Sequence, residues 1–146
     1  MINIPILSFL LIFPLVGIFV IFLLNKKDEK YNKKVKEIGL WTTLINLIFS
    51  LIILYNFDLT ESSFQFVENI PIIDDLGVHY YLGIDGISLP FILLTTFLIP
   101  ICIISCWNKT IKHINYLIIS FLTIELFLIG LFISLDLFIF YIFFEG

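Results

Sequence analysis

The sequence predicts an all-α fold, a polytopic bundle of transmembrane helices. Of the 146 residues, 60% are hydrophobic, 17 are Phe and only 14% carry a charge. The mean hydropathy is +1.11. Because a soluble globule of this length needs more polar surface than these residues supply, the composition excludes an ordinary soluble domain. It gives no support to nucleic-acid binding, and the net charge of −4 says little because the charges are clustered along the chain.

Apolar runs divide this single membrane domain, residues 1–146, into four complete spans and a shorter fifth. Residues 4–24, 38–55, 87–106 and 114–135 form runs of 21, 18, 20 and 22 residues. A helix crosses a bilayer with about 17 to 25 apolar residues, so each run predicts one crossing. The fifth run, 136–146, has eleven residues and is incomplete. We therefore expect a chain that is truncated, or that a separate polypeptide continues.

The lysines predict the orientation of these spans. Six Lys lie in residues 25–37 (NKKDEKYNKKVKE), and the other two are Lys109 and Lys112. The loop at residues 56–86 is acidic and contains no Lys or Arg. Since Lys and Arg favour the cytoplasmic or matrix side, we expect both Lys-rich connections there. The N-terminus and the acidic loop then lie outside.

The acidic loop ends in turn and capping residues that lead into the third helix. In LGIDGISLP, Asp85 or Ser88 is suited to cap this helix, and Pro90 fits its first turn. Pro100 lies inside the helix, where it predicts a kink. The preceding segment VHYYLGI is rich in strand formers. It predicts an extended edge or a hairpin at the membrane surface.

Two carboxyl groups are the candidate functional residues. Glu145 lies nine residues after Asp136 and Glu125 eleven residues before it. Ser134 and Asp136 are suited to cap the fifth helix, which makes a tight antiparallel hairpin with the fourth. At 1.5 Å per residue, Glu145 then lies roughly 13 Å below the helix start, close to the bilayer midplane and nearly level with Glu125.

A carboxyl group at this depth predicts proton or ion handling. Its insertion costs on the order of 2.5 to 3.5 kcal/mol, so such a group is seldom retained without a function. Burial and mutual repulsion disfavour the charged form, which allows a carboxyl group to take up and release a proton as its surroundings change. No Lys lies inside any span, so a relay that needs a mobile cation takes it from other helices. For Glu125 the alternative is structural, a protonated carboxyl hydrogen-bonded to a neighbouring helix.

Two segments carry a resemblance to a known family. Residues 79–100, HYYLGIDGISLPFILLTTFLIP, and residues 130–146, GLFISLDLFIFYIFFEG, resemble the signature segments of subunit 4 of proton-pumping NADH:quinone oxidoreductase (respiratory complex I). The family consists of antiporter-like membrane subunits, and only its N-terminal part is matched. The resemblance implies that Glu145 is the channel glutamate of the fifth helix. Glu125 falls where many relatives also carry an acidic residue.

The resemblance implies a membrane-arm subunit that contributes to proton translocation, with other complex I membrane subunits and the lipid bilayer as partners. A separate chain or missing segment would supply the remaining helices. NADH, flavin, iron–sulfur clusters and quinone belong to other subunits, and this chain has no redox centre of its own. The location implied is the mitochondrial inner membrane, or alternatively a bacterial plasma membrane.

Two other functions remain open. One is a subunit of a related multisubunit sodium/proton antiporter or hydrogenase, and the other is a structural, non-pumping membrane fragment. Neither reading adds a cofactor or metal to the chain. Cys102 and Cys106 lie four residues apart without a further Cys or His close enough to complete a tetrahedral metal site.

Overall fold

Helices account for most of the computed structural model, which describes residues 5–24, 31–61, 63–73, 78–108 and 112–146. The elements in chain order are α1 (Ile6–Leu23), α2 (Tyr31–Asn56), β1 (Gln65–Ile73), β2 (Val78–Ile84), α3 (Ser88–Ser105), α4 (Ile114–Ile133) and α5 (Leu137–Glu145). The first four helices are long and apolar enough to cross a membrane. Their outward faces are as apolar as their buried ones, which is the pattern of helices surrounded by lipid. The fold is the expected transmembrane helix bundle.

The helix ends differ from the ends of the apolar runs by at most seven residues. The largest difference is the start of α2, which begins at Tyr31 rather than at residue 38. The expected start was wrong because hydropathy marks where lipid begins, whereas Lys and Glu are good helix formers that extend a helix into water. An ion pair between Lys33 and Glu37, 3.7 Å apart and one turn from each other, lies in this first part of α2. Pro100 lies inside α3, and Asn25 to Lys30 fall outside the described residues.

The acidic loop contains an antiparallel β-hairpin. Strands β1 and β2 pair with Asn69 opposite Tyr81, and the register shifts between Gln65 and Glu68. Phe66, at this shift, has a φ of 54°, in the left-handed region that a β-bulge can require. The VHYYLGI segment is thus the second strand of a hairpin. The description all-α therefore holds for the membrane-spanning part, and the connection at residues 56–86 adds a two-stranded sheet.

The hairpin is fixed to the helices by its own backbone and by two carboxylates. The backbone N–H of Leu135 donates to the carbonyl of Tyr81 over 2.9 Å, which joins the α4–α5 turn to β2. Asp136 accepts from the backbone N–H of His79 over 3.2 Å. On the other strand, Glu68 accepts from the backbone N–H of Leu7 over 2.9 Å, at the start of α1. The hairpin therefore joins the start of α1 and the α4–α5 turn at one surface.

Side-chain caps set the starts of α3 and α5. Asp85 Oδ1 accepts from the backbone N–H of Ser88 over 2.7 Å, and Ser88 Oγ accepts from the backbone N–H of Asp85 over 3.1 Å. This reciprocal arrangement satisfies free donors at the start of α3. Asp136 Oδ1 accepts from Phe138 N over 2.7 Å at the start of α5. Ser134, the other candidate cap of α5, instead donates to the carbonyl of Leu131 in α4.

The buried core is split into two apolar clusters. The hairpin-side cluster contains Leu7, Leu10, Leu11, Ile53, Leu82, Ile84, Leu89, Ile92, Leu126, Ile129 and Ile133. The lysine-side cluster contains Ile21, Val35, Ile99, Ile103, Ile114, Ile118 and Leu122. On α4 the two clusters meet between Leu122 and Leu126, and Glu125 lies between them. The interruption falls near the middle of the helix.

Candidate functional site

A layer of buried polar side chains separates the two apolar clusters. Its members have no exposed surface and come from three helices: Thr43, Asn46 and Ser50 of α2, Thr96 of α3 and Glu125 of α4. We call this set the polar layer. Positions 43, 46 and 50 follow the three- and four-residue spacing of one helix face. The face that α2 turns towards the bundle is therefore polar in the middle and apolar towards its ends.

The position of Glu125 follows from the packing of α2 against α4. These helices run parallel, with Gly39 opposite Ile118 and, two turns further along both helices, Asn46 opposite Glu125. A Cβ atom at Gly39 would lie 2.4 Å from Ile118 Cγ2. The missing side chain at residue 39 thus allows the close approach that brings Asn46 to Glu125.

The hydrogen bonds of the polar layer are complete except at two atoms. Ser50 Oγ and Thr96 Oγ1 lie 2.8 Å apart and bond across α2 and α3. Asn46 Nδ2 donates to Glu125 Oε1 over 3.2 Å. The remaining side-chain oxygens of this pair, Asn46 Oδ1 and Glu125 Oε2, are buried and have no hydrogen-bond partner. Buried polar atoms are normally satisfied, so this pair requires a chemical explanation.

Glu145 has different surroundings. It ends α5, its side chain is exposed, and it makes no hydrogen bond or ion pair with the described residues. The α4–α5 contacts place Gly130 against Phe143 and Gly146 against Phe127. Glu145 is therefore about one helical turn from the level of Glu125, close to the expected depth relation. No hydrogen bond joins the two carboxyl groups, and Glu125 contacts α2 instead.

The sequence predicts Glu125 as a candidate functional residue but not the polar residues that surround it. A carboxyl group inside an apolar run is conspicuous, whereas single Asn, Ser and Thr residues are common in membrane helices. The signal that was available is the spacing of Thr43, Asn46 and Ser50, which places three polar side chains on one face of an apolar helix. Cys102 and Cys106 are free thiols in the structure. No group of three potential metal ligands occurs within the described part of the chain.

Comparison with known proteins identifies the relatives of the chain. No protein-family model matches. The chain is 38% identical over 140 residues to NADH-ubiquinone oxidoreductase chain 4 of Mycosarcoma maydis, and 41% identical over 141 residues to the chain 4 of Arabidopsis thaliana. It is also 36% identical over 149 aligned positions to NADH-quinone oxidoreductase subunit M of Rickettsia typhi. The chain resembles the N-terminal part of subunit 4 of complex I.

The alignments cover almost all of the chain but less than a third of each relative. The alignments cover 96 to 100% of the chain but only 28 to 30% of the length of these curated relatives. The four apolar helices and the similarity to the N-terminal part of subunit 4 together support a multi-pass membrane protein. The relatives come from organisms with mitochondria and from bacteria.

Proposed function

We propose that this protein is a membrane-arm subunit of a proton-pumping NADH:quinone oxidoreductase and contributes to proton translocation. The observation that carries the proposal is the similarity to chain 4 over 96% of the chain or more. The buried polar layer supports it, because an ionisable side chain inside a membrane bundle is costly and commonly marks an ion pathway. The proposed proton-carrying residues are Glu145 and Glu125.

The proposed partners follow from what the described helices lack. No Lys, Arg or His lies beside Glu125 in the spans, and Glu145 has no partner within the described residues. A proton relay that is switched by charge therefore needs a cation from a neighbouring polypeptide or segment of the complex. We place NADH oxidation, flavin, iron–sulfur clusters and quinone on other subunits.

The proposed location is the mitochondrial inner membrane, with a bacterial plasma membrane as the alternative. We place the Lys-rich start of α2 on the matrix or cytoplasmic side, in accord with the positive-inside rule. The β-hairpin contacts the start of α1 and the turn after the end of α4. We therefore place it on the outer surface, opposite the Lys-rich start of α2.

Replacement of Glu145 by Gln in the assembled complex tests the proposal. We expect electron-transfer-driven proton translocation to fall roughly 10²-fold or more, because a positioned proton-transfer group commonly contributes 10² to 10⁴. Assembly of the complex, measured by native gel electrophoresis, stays intact. Glu37→Gln is the control, because Glu37 is partly exposed near the start of α2, where it pairs with Lys33, and lies outside the polar layer. Proton translocation at the wild-type rate in Glu145→Gln would contradict a role of Glu145 in the pathway.

A structural role is the second candidate function, and the exposure of Glu145 favours it. If the helices only complete a larger membrane arm, Glu145→Gln and Glu125→Gln both pump normally, whereas disruption of helix packing prevents assembly. The antiporter alternative predicts in addition that translocation depends on sodium. Measuring proton uptake with and without sodium in the same vesicles separates these readings.

A further inference from the structure

The contact between Asn46 and Glu125 lacks one hydrogen-bond donor. Asn46 Nδ2 donates to Glu125 Oε1 over 3.2 Å, while Asn46 Oδ1 and Glu125 Oε2 are both buried and both unpartnered. An ionised carboxylate only accepts hydrogen bonds, and an amide oxygen also only accepts, so these two atoms cannot satisfy each other. A carboxylic acid has one O–H donor. A proton on Oε2 would turn this oxygen into a donor, and Asn46 Oδ1 is an unpartnered acceptor on the same pair of side chains.

We infer that Glu125 holds a proton in the resting protein and that Asn46 binds this proton, in a two-bond pair between a carboxylic acid and a carboxamide. In this pair the amide N–H donates to Oε1 and the Oε2–H donates to Asn46 Oδ1. The reversed amide leads to the same conclusion. If the amide oxygen and nitrogen were exchanged, two oxygens would face each other, and that contact also needs a proton.

The charges around Glu125 favour the neutral acid. The residue has no exposed surface, and burial of an unpaired carboxylate is costly. The helices packed against α4 are α1, α2, α3 and α5, and the strand that contacts it is β2. Their titratable groups are Lys33, Lys34, Lys36, Glu37, Tyr31 and Tyr55 of α2, Cys102 of α3, Tyr141 and Glu145 of α5, and His79, Tyr80 and Tyr81 of β2; α4 itself adds Tyr116.

The cations in this set are too distant to stabilise a carboxylate at residue 125. Lys36 precedes Asn46 by ten residues of the same helix, which is roughly 15 Å along the axis. Its Nζ donates to the backbone carbonyl of Trp107 over 2.7 Å, at the end of α3. His79 lies beyond Ser134, which is nine residues after Glu125 and roughly 13 Å away along α4. On the neighbouring α5, Glu145 lies about one helical turn from the level of Glu125, and a second negative charge there favours the neutral form of Glu125 further.

A bound metal cation explains the two unpartnered oxygens less well than a proton does. Hard cations such as calcium and magnesium take six or more oxygen ligands. Asn46 and Glu125 offer two free oxygens, while the hydroxyls of Ser50 and Thr96 are engaged with each other. One proton satisfies both free atoms without further ligands. Exchange of potassium for sodium distinguishes a bound metal cation from a proton at this pair.

Asn46 is accordingly a positioning residue for the proton of Glu125. If the proton left, Asn46 Oδ1 would face a carboxylate oxygen, so release requires the amide to turn or a cation to approach. In the proposed function, on which this step rests, the pair is a station that is filled at rest and emptied when a charge arrives from a neighbouring segment. The proton occupancy itself can be measured without any pumping.

Infrared spectroscopy of the full chain, assembled in its complex in lipid nanodiscs, tests the inference. The C=O stretch of a protonated carboxyl is separate from the bands of carboxylates and shifts in D₂O. We expect the wild type to show such a band at near-neutral pH, and Glu125→Gln to lose it. In Asn46→Leu the band moves to higher wavenumber, because its carbonyl loses the N–H donor. Asn46→Ala serves the same purpose if Asn46→Leu does not assemble.

Thr43→Val is the matched control. Thr43 is equally buried in the polar layer, one turn from Asn46, but its hydroxyl donates to the carbonyl of Leu40 in its own helix. We expect the Glu125 band to be unchanged in this variant, and unchanged when sodium replaces potassium. A second measurement is thermal melting. Gln at residue 125 can form the same two bonds to Asn46 as the acid does, so Glu125→Gln should melt at the wild-type temperature.

Three results would overturn the inference. They are a missing protonated-carboxyl band in the wild type at near-neutral pH, a band that persists in Glu125→Gln, and a band that does not move when Asn46 is replaced. A sodium-dependent loss of the band would assign the site to a cation instead. None of these readouts depends on turnover, so a complex that fails to pump protons can still confirm the acid–amide pair. A complex that pumps normally can equally refute it.

Discussion

Replacement of Glu68 should loosen the start of α1, sixty residues away in the chain. The residue before α1 is Pro5, which has no side-chain acceptor to cap the helix. Glu68, a residue of β1, caps the helix instead. Its Oε1 accepts from the backbone N–H of Leu7 over 2.9 Å, both its oxygens lie 3.3 Å from the backbone N–H of Ser8, and Oε2 accepts from Ser8 Oγ. Tyr80 Oη lies 3.1 Å from the same hydroxyl.

The magnitude follows from the bonds that Glu68→Ala removes. A hydrogen bond to a charged group contributes about 1.5 to 3 kcal/mol. The loss of a helix N-cap costs about 0.5 to 2 kcal/mol. These terms describe overlapping contacts and do not add fully, so we expect a loss of about 2 to 3 kcal/mol in the local stability of the α1 start. At 1.4 kcal/mol for each factor of ten, this is roughly a 30- to 140-fold increase in the local opening equilibrium.

Hydrogen exchange measures this opening directly. Exchange of the Leu7 and Ser8 amides should accelerate by the same factor in Glu68→Ala, because opening of the cap exposes these amides. Glu68→Gln retains an acceptor but loses the charge, and its acceleration should be smaller. Glu61→Ala is the matched control, since Glu61 is exposed in the same loop and forms no hydrogen bond or ion pair with the described residues of α1. Unchanged exchange at Leu7 and Ser8 in Glu68→Ala would refute the assignment of Glu68 as the cap of α1.

Two further predictions concern helix packing and pH. Gly39→Ala should destabilise the helix bundle by about 1 to 3 kcal/mol, since the added Cβ overlaps Ile118; Gly86→Ala, where a Cβ meets nothing within 4 Å, should melt like the wild type. The hydrogen bond from the His79 backbone N–H lowers the pKa of Asp136 below its usual 3.8. The ionised Asp136 carboxylate therefore stabilises the folded protein above pH 3.8, and this stabilisation is lost as the pH falls through the lowered folded-state pKa. Exchange of the His79 amide should accelerate in that acid range in the wild type but not in Asp136→Asn. Equal melting temperatures of the two glycine variants would contradict the prediction for Gly39. An acid-range acceleration of His79 exchange that persists in Asp136→Asn would contradict the prediction for Asp136.

The parts of the fold that the sequence predicts are those set by local composition. Four spans are visible as apolar runs because the bilayer demands continuous apolar length. Asp85 and Asp136 are recognisable caps because each lies within three residues of a helix start. The positions of Pro90 and Pro100 in α3 follow from the same local pattern. The start of α2 was missed, since the boundary of lipid is not the boundary of the helix.

The parts that the sequence could not predict depend on contacts between distant segments. Nothing in the local pattern of β1 shows that Glu68 reaches the start of α1, or that a bulge at Phe66 precedes it. In the same way, Glu125 is conspicuous in α4, but its partner Asn46 is 79 residues away and becomes identifiable only when α2 and α4 are placed side by side. The role of Glu145 stays a prediction that rests on its position and on the family resemblance.

The choice of Glu rather than Gln at residue 125 argues for a role beyond helix packing. Lipid gives helices no hydrophobic drive to associate, so hydrogen bonds such as that between Ser50 and Thr96 help to hold a bundle together, at roughly 0.6 to 2 kcal/mol each. For this purpose Gln is at least as good as Glu, because a carboxamide satisfies both atoms of Asn46 and never has to be neutralised. A glutamate satisfies Asn46 only while it is protonated. In the proposed acid–amide pair, Glu125 therefore adds to the polar layer a proton that can leave, which a glutamine at this position would not.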